Sequence, residues 1–322
     1  MKKKSTAPKL DVAQEVTERT SPRITPAQIR ATMERSMGDL SKLLASQNFK
    51  SKEDLEAFLN TMVMGQPIPE PKPETPLEMA QDLIYKAHET ASRKGRIKLA
   101  QKALEISPDC VDAYVILAEE AESLLKRLEI LEQGKAAGER AIGAEQYKSW
   151  TGNFWLATET RPYMRACEGI GEIAWALGRL DHAIEVYQLM LRLNPSDNQG
   201  VRYQLANCLL EVGDTESAQQ LLKQFDDDAA ANWAYSRALM LFLKRGDGPI
   251  AAKALDAAIN TNVFVPDLLL RHKRLPRELP PYIGFGDESE AVAYVAYAAR
   301  AWENANGALA WLRQYRAQSD TH

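Results

Sequence analysis

One set of small, large and turn residues returns in register along the middle of this chain, and that recurrence restricts the fold more than any other feature. A first segment carries Ile170, Gly171 and Ala174, a turn follows at Leu177-Gly178-Arg179, and a second segment carries Ala183, Tyr187 and Met190 before Leu193-Asn194-Pro195. An offset of 35 residues places Leu205, Ala206, Leu209, Gly213, Ala218, Leu222 and Phe225 on the same sites. An offset of 68, twice 34, places Ala238, Phe242, Gly246, Ala251 and Leu255 there. Small residues at fixed positions let two helices approach, and a large one fills the gap between them. The closing proline ends the second helix because it lacks an amide donor and clashes with the preceding turn. A helical pair of this kind cannot bury its apolar face alone, so successive pairs must stack.

This is the tetratricopeptide pattern, and it predicts an all-α fold: a right-handed helical solenoid. Composition agrees, because the abundant Leu, Ala, Glu, Arg and Gln lose little rotamer freedom in a helix. Upstream, Ala100, Ala103, Leu104 and Pro108 read as the end of an earlier unit, and Ala113 to Ala118 as the opening helix of another, for four or five units in all. Residues 143–161 interrupt the period with Trp150, Phe154 and Trp155, an insertion expected to pack on the array. The solenoid spans 77–316; after Pro266 a proline- and glycine-rich segment, Leu275 to Asp287, leads to a helix from about Glu288, capped by Asp287 and shielding the end of the array. Before it lie a polar tail expected to be disordered (1–25), a helical hairpin (26–64) with Ile29, Met33, Met37, Leu40 and Leu44 at helical spacing, and a proline-rich linker (65–76). Residues 317–322 form a short tail.

The formal net charge is -4 with both signs interspersed, which disfavours a nucleic-acid surface. Cys110, Cys167 and Cys208 are far apart, without paired spacing or clustered histidines, so the chain suits a reducing compartment and offers no metal ligands. The basic start, Lys2 to Lys4, is followed by polar residues instead of an apolar segment, which predicts a cytoplasmic protein. The least polar stretch, Ala291 to Trp302, contains Arg300 and is too short to span a bilayer. No nucleophile, base or metal set stands in a catalytic arrangement: Cys167 and Cys208 read as small buried hydrophobes, and Gly284-Phe285-Gly286-Asp287 lacks the third glycine and preceding strand of a dinucleotide loop. No catalytic residue, cofactor or metal is expected. Trp175, Trp233, Tyr294, Tyr297, Trp302 and Trp311 read as core.

In such a repeat the first helix of each unit lines the concave face. Register then assigns Arg165, Glu168, Glu172 and Trp175 to the groove, followed by Tyr203, Asn207 and Leu210, and then by Trp233, Ser236, Met240 and Leu243 with Arg237 beside them. Asp112, Val115, Glu119 and Glu122 extend it upstream. The candidates for a peptide-binding groove are Arg165, Glu168, Glu172, Tyr203, Asn207 and Arg237, and the carboxylates favour a partner of basic or mixed charge through electrostatic steering. A polar cluster between repeats, Arg161, Asp197, Asn198, Gln199 and Arg202, has two readings: a functional surface, or capping of the next helix by Asp197 and Asn198 with pairing of the arginines.

Three runs, Glu159 to Arg165, Arg192 to Tyr203 and Leu275 to Glu288, resemble bacterial tetratricopeptide proteins related to the suppressor-of-tumorigenicity seven family, over roughly Pro76 to Arg313. That resemblance implies an α-helical solenoid serving protein interaction, with no catalytic set to carry over. Animal members associate with membranes through segments absent here, and some bacterial relatives end in a cysteine-rich zinc motif that does not follow Arg313. The expected function is a non-enzymatic scaffold that binds a protein or peptide, with a structural subunit of a larger assembly, or an enzyme of unknown class using the loop from Leu275 to Asp287, as the alternatives.

Overall fold

The computed structural model describes residues 25–47, 49–63 and 72–319, and every regular element among them is helical. Most of the expected N-terminal tail, most of the proline-rich linker and the last three residues lie outside the described residues. The chain divides between Ile68 and Pro69 into two compact units.

The first unit holds α1 (Pro26–Ser46) and α2 (Lys52–Val63). The Thr25 hydroxyl accepts from the Gln28 amide while the Gln28 side chain accepts from the Thr25 amide, satisfying two donors that a helix start leaves open. The rings of Phe49 and Phe58 meet at 5.4 Å between the helices.

The second unit stacks five packed pairs of helices, each pair touching the next. They are α3 (Pro76–Glu89) with α4 (Arg93–Ile106), then α5 (Val111–Glu119) with α6 (Leu124–Ile142); after the short α7 (Ala144–Trp150) come α8 (Arg161–Ala176) with α9 (Leu180–Leu193), α10 (Val201–Val212) with α11 (Thr215–Gln224), and α12 (Ala231–Arg245) with α13 (Pro249–Thr261). Pro76, read as the last linker residue, is instead the first residue of α3, capped by Thr75. This is the expected helical repeat solenoid. Gly178, Gly213 and Gly246, the phase-matched turn residues, all take positive φ, at 73°, 77° and 71°. A Cβ is strained there, so the turn itself demands glycine. Inside the pair α8/α9, a Cβ on Gly171 would stand 2.5 Å from Tyr187 Cε1. The fully buried Tyr187 ring thus occupies the space that the glycine leaves.

The insertion packs on the array as expected. Phe154 is fully buried, edge-on to Tyr147 at 5.0 Å and to Tyr163 at 6.0 Å. The amides of Gly152 and Phe154 both donate to the Leu193 carbonyl at the end of α9, at 3.0 and 3.1 Å.

The C-terminal end differs from expectation. After α14 (Val265–Leu269) and an exposed loop, α15 (Glu288–Asn304) packs along α10 and α12 as well as α14, and α16 (Ala308–Ser319) packs against α14 and α15. The helix therefore covers the first helices of two successive pairs, instead of serving only as a lid on the last pair. Its composition explains this: Ala291, Val292, Tyr294, Val295, Ala298, Ala301 and Trp302 are all buried, an arc too wide for one contact face. Asp287 caps α15 as predicted, accepting from the Ser289 and Glu290 amides at 2.8 and 3.2 Å.

Gly171→Ala tests the close approach of α8 and α9. The added methyl overpacks a buried ring, so chemical denaturation should show a loss of about 1–3 kcal/mol in unfolding free energy; an unchanged midpoint would refute the packing argument.

Candidate functional site

The structure separates the groove candidates by burial. Arg165 does not face solvent: its Nε and Nη2 donate to the two carboxylate oxygens of Asp112 at 2.9 and 2.7 Å, and Gln81 Nε2 donates to Asp112 Oδ2 at 3.0 Å. The pair joins α3, α5 and α8 with side-chain exposures of only 9% and 6%. Burial opposes charge on Asp112, but the Arg165 guanidinium outweighs it and holds the carboxyl below the usual carboxylate range. Arg165 and Asp112 are a structural staple, which removes both from the open groove.

Asn207 is likewise withdrawn. It is buried on α10, one of the helices that α15 covers, together with Leu210 on α10 and Ser236 and Met240 on α12. The lock between α15 and the repeats is polar. Trp175 Nε1 and Arg300 Nη2 reach the two oxygens of the buried Glu211 carboxylate at 2.8 and 2.5 Å, and Trp175 stacks on Tyr297 at 5.8 Å. At the start of α15, Glu290 accepts from the Ala231 amide at 2.8 Å and from Asn262 Nδ2 at 3.0 Å. Sequence register missed this arrangement. The one available signal was the stretch Ala291 to Trp302, whose low polarity marks a helix buried on more than one side.

The polar cluster between repeats resolves into three separate contacts. Asp197, at φ 49°, accepts from the Val201 and Arg202 amides at 2.8 and 3.1 Å and so caps α10. Arg202 bridges Asp197 and Asp228 at 2.9 and 2.8 Å, lies over the Tyr203 ring at 4.4 Å, and Tyr203 donates its hydroxyl to Asp228 at 2.8 Å. Burial raises the Asp197 carboxyl despite these donors. Gln199 instead reaches across to Glu168 at 2.6 Å, while Arg161 donates to the Trp155 carbonyl at 3.1 Å and lies over its ring. Asn198 is exposed and takes no part in the cap. Tyr203, a groove candidate, belongs to this capping network, and Arg237 is exposed without joining any of these groups.

On α5 and α8 what stays open is acidic. Glu168 and Glu172 stand one turn apart on α8, and the exposed Glu119 lies on α5, the first helix of the preceding pair, which packs directly on α8. Tyr297, assigned to the core by its spacing, is 42% exposed beside them. Although Glu172 touches solvent, partial desolvation in this recess, and secondarily the charge of Glu168, lifts its carboxyl to about 7. The Tyr297 hydroxyl is raised by burial and then by Glu172, which identifies the two as neighbours.

Other reactive groups are spent on packing. All three cysteines are buried and unpaired, and burial pushes the Cys110 and Cys167 thiols up to about 12, far from thiolate formation at neutral pH. The Gly284 and Gly286 amides donate to Ser289 Oγ and Glu290 Oε2 at 3.0 and 2.8 Å, so that turn works as a helix start. Among the described residues no group of three or more His, Cys, Asp or Glu is placed to hold a metal, and no helix is long and apolar enough to cross a membrane.

Arg165→Met leaves the Asp112 carboxylate buried without its cation, and unfolding free energy at pH 7 should fall by about 3–5 kcal/mol. Because the pairing holds Asp112 below its ordinary range, its contribution is complete above about pH 4 and is lost as pH falls further. Denaturation curves of wild type and variant should therefore converge in acid; a gap independent of pH would exclude the ion pair as its source.

Residues 74–318 match the family model described as ST7 protein. Suppressor of tumorigenicity 7 protein-like from Homo sapiens is 29% identical over 257 residues, covering 72% of this chain and 44% of that protein, and the Bos taurus protein of the same description is 29% identical with 72% and 46% covered. Protein ST7 homolog from Drosophila melanogaster is 28% identical over 254 residues, with 70% and 47% covered. The chain spans less than half the length of these relatives. Among solved structures, the crystal structure of YrrB, a TPR protein with an unusual peptide-binding site, aligns with 57% of this chain and 84% of its own at 19% identity and a TM-score of 0.39. With the family model matched across nearly all of its second unit, this chain belongs to the ST7 protein family.

Proposed function

We propose that this chain is a non-enzymatic scaffold that holds a peptide or protein segment of basic or mixed charge against the first helices of its repeats, at the acidic strip that α15 leaves open. The observation that carries this reading is the pair Glu168 and Glu172 on α8, with the exposed ring of Tyr297 beside it and Glu119 on the adjacent helix. Rigid, stacked helices present these groups in place, so an extended segment would meet a receptor that loses little of its own freedom on binding. The unpaired cysteines fit action in a reducing compartment, which we take to be the cytoplasm.

Glu172 makes the reading sensitive to pH. Its raised carboxyl is partly protonated at neutral pH, and a guanidinium or ammonium group placed beside it favours the charged form. Binding then releases protons, so affinity rises with pH up to and slightly beyond 7 and levels off above that.

A fluorescence-anisotropy titration with an arginine- and lysine-rich peptide tests both statements. Glu168→Lys combined with Glu172→Lys should weaken binding by about tenfold or more, equivalent to at least about 1.4 kcal/mol. Glu172→Gln should flatten the rise between pH 6 and 8. Affinity indifferent to the double charge reversal would sink the groove reading.

A further inference from the structure

The loop between α14 and α15 is held at both stems and bare at its tip. Arg271 pairs with Glu303 at 2.6 Å, Lys273 with Glu288 at 2.5 Å, and Arg316 with Asp267, while at the far end Asn262 Nδ2 donates to the Asp287 carbonyl at 2.8 Å. Between these anchors, Pro276, Pro280 and Pro281 restrict the backbone. Yet Tyr282 is 86% exposed, Phe285 82% and Ile283 61%. Arg274 and Arg277 are exposed as well, and neither has an ion pair or hydrogen bond among the described residues. A stiffened loop presenting two aromatic rings, a branched aliphatic chain and two unpaired guanidinium groups has the composition of an interface anchor.

We infer that this loop docks on the acidic strip of a second copy of the chain, so that two copies pair by exchanging loops. The inference rests on the strip being a binding surface for cationic segments, as proposed above. Charge complementarity selects the occupant. Glu172 is exposed with no ion pair among the described residues, and Arg274 and Arg277 supply the cations it lacks. Tyr297, exposed beside Glu172, offers a ring for Tyr282 or Phe285 to pack on. Both partners of the contact adjoin α15: the loop runs into its first residue, and Tyr297, at the edge of the strip on α8, lies about 14 Å further along at 1.5 Å per residue. A two-fold axis between copies therefore lets each loop reach the strip of the other, a self-complementary arrangement that closes at a dimer.

Sedimentation velocity on the full chain over a range of concentrations should show a monomer–dimer equilibrium that weakens with salt. Tyr282→Ser with Phe285→Ser changes only exposed side chains, so the helical circular dichroism should stay unchanged while the dimer dissociation constant rises about tenfold or more, the size of a lost interface anchor. Glu172→Arg alone, and Arg274→Glu with Arg277→Glu alone, should each weaken the dimer; mixing those two variants should restore it through one charge-swapped contact. A monomer at every concentration overturns the inference, and if that monomer still binds the basic peptide the strip survives as a binding surface. A dimer that ignores Glu172→Arg, or a mixture that does not recover, overturns it too.

Discussion

Burial of the inner face of the repeats by α15 is the constraint on which the rest of this structure depends. A stack of helical pairs exposes one apolar stripe on the first helix of each pair, because neighbours cover only the flanks. In this chain α15 lies along α10 and α12 and takes much of that stripe out of water, with Tyr294 and Trp302 fully enclosed. Those two side chains hold each other, Trp302 Nε1 donating to the Tyr294 hydroxyl at 2.8 Å, which satisfies both polar ends inside the core. The same contact moves the accessible surface to α5 and α8, where the carboxylates are.

Buried polar groups act as register marks along this array. Asp112, Arg165 and Gln81 tie three successive pairs together; Asp197, Arg202, Tyr203 and Asp228 tie the start of α10 to the connection before α12; Glu211 ties Trp175 of α8 to Arg300 of α15. Asp112, Asp197 and Asp228 each accept from two or more donors, and Glu211 accepts from Trp175 while pairing with Arg300. That multiplicity offsets the desolvation of a buried charge, which one weak contact would not. The apolar contacts set how closely the helices approach, and these networks set which residue faces which.

Chemistry that could have been functional is therefore divided between structure and surface. Charges that pair internally stop being available to a ligand, as with Arg165, and an exposed carboxylate with no ion pair among the described residues keeps an interest in one, as with Glu172. The exposed loop before α15 shows the complementary imbalance, with apolar side chains and guanidinium groups left in solvent.

Periodicity was enough to identify the helical pairs and the glycine turns at 178, 213 and 246, and residue type the cap at Asp287, because each follows from local geometry: a helical repeat, a left-handed backbone angle, a side chain that accepts from its own helix start. The insertion breaks the period, and its aromatic residues were the signal that it packs on the array. The competing reading of Asp197 as a cap was also open to inspection, since the acceptor and the amides it serves are four and five residues apart. Register likewise placed Arg165, Glu168, Glu172 and Asn207 on first helices, but it could not say which would stay in water. That depends on contacts between residues far apart in the chain: Arg165 with Asp112 at a separation of 53, and α15 with α10. A helix knows its own spacing but not what will cover it, so the chain order determined the repeats, and only the return of α15 across them decided where a partner could touch.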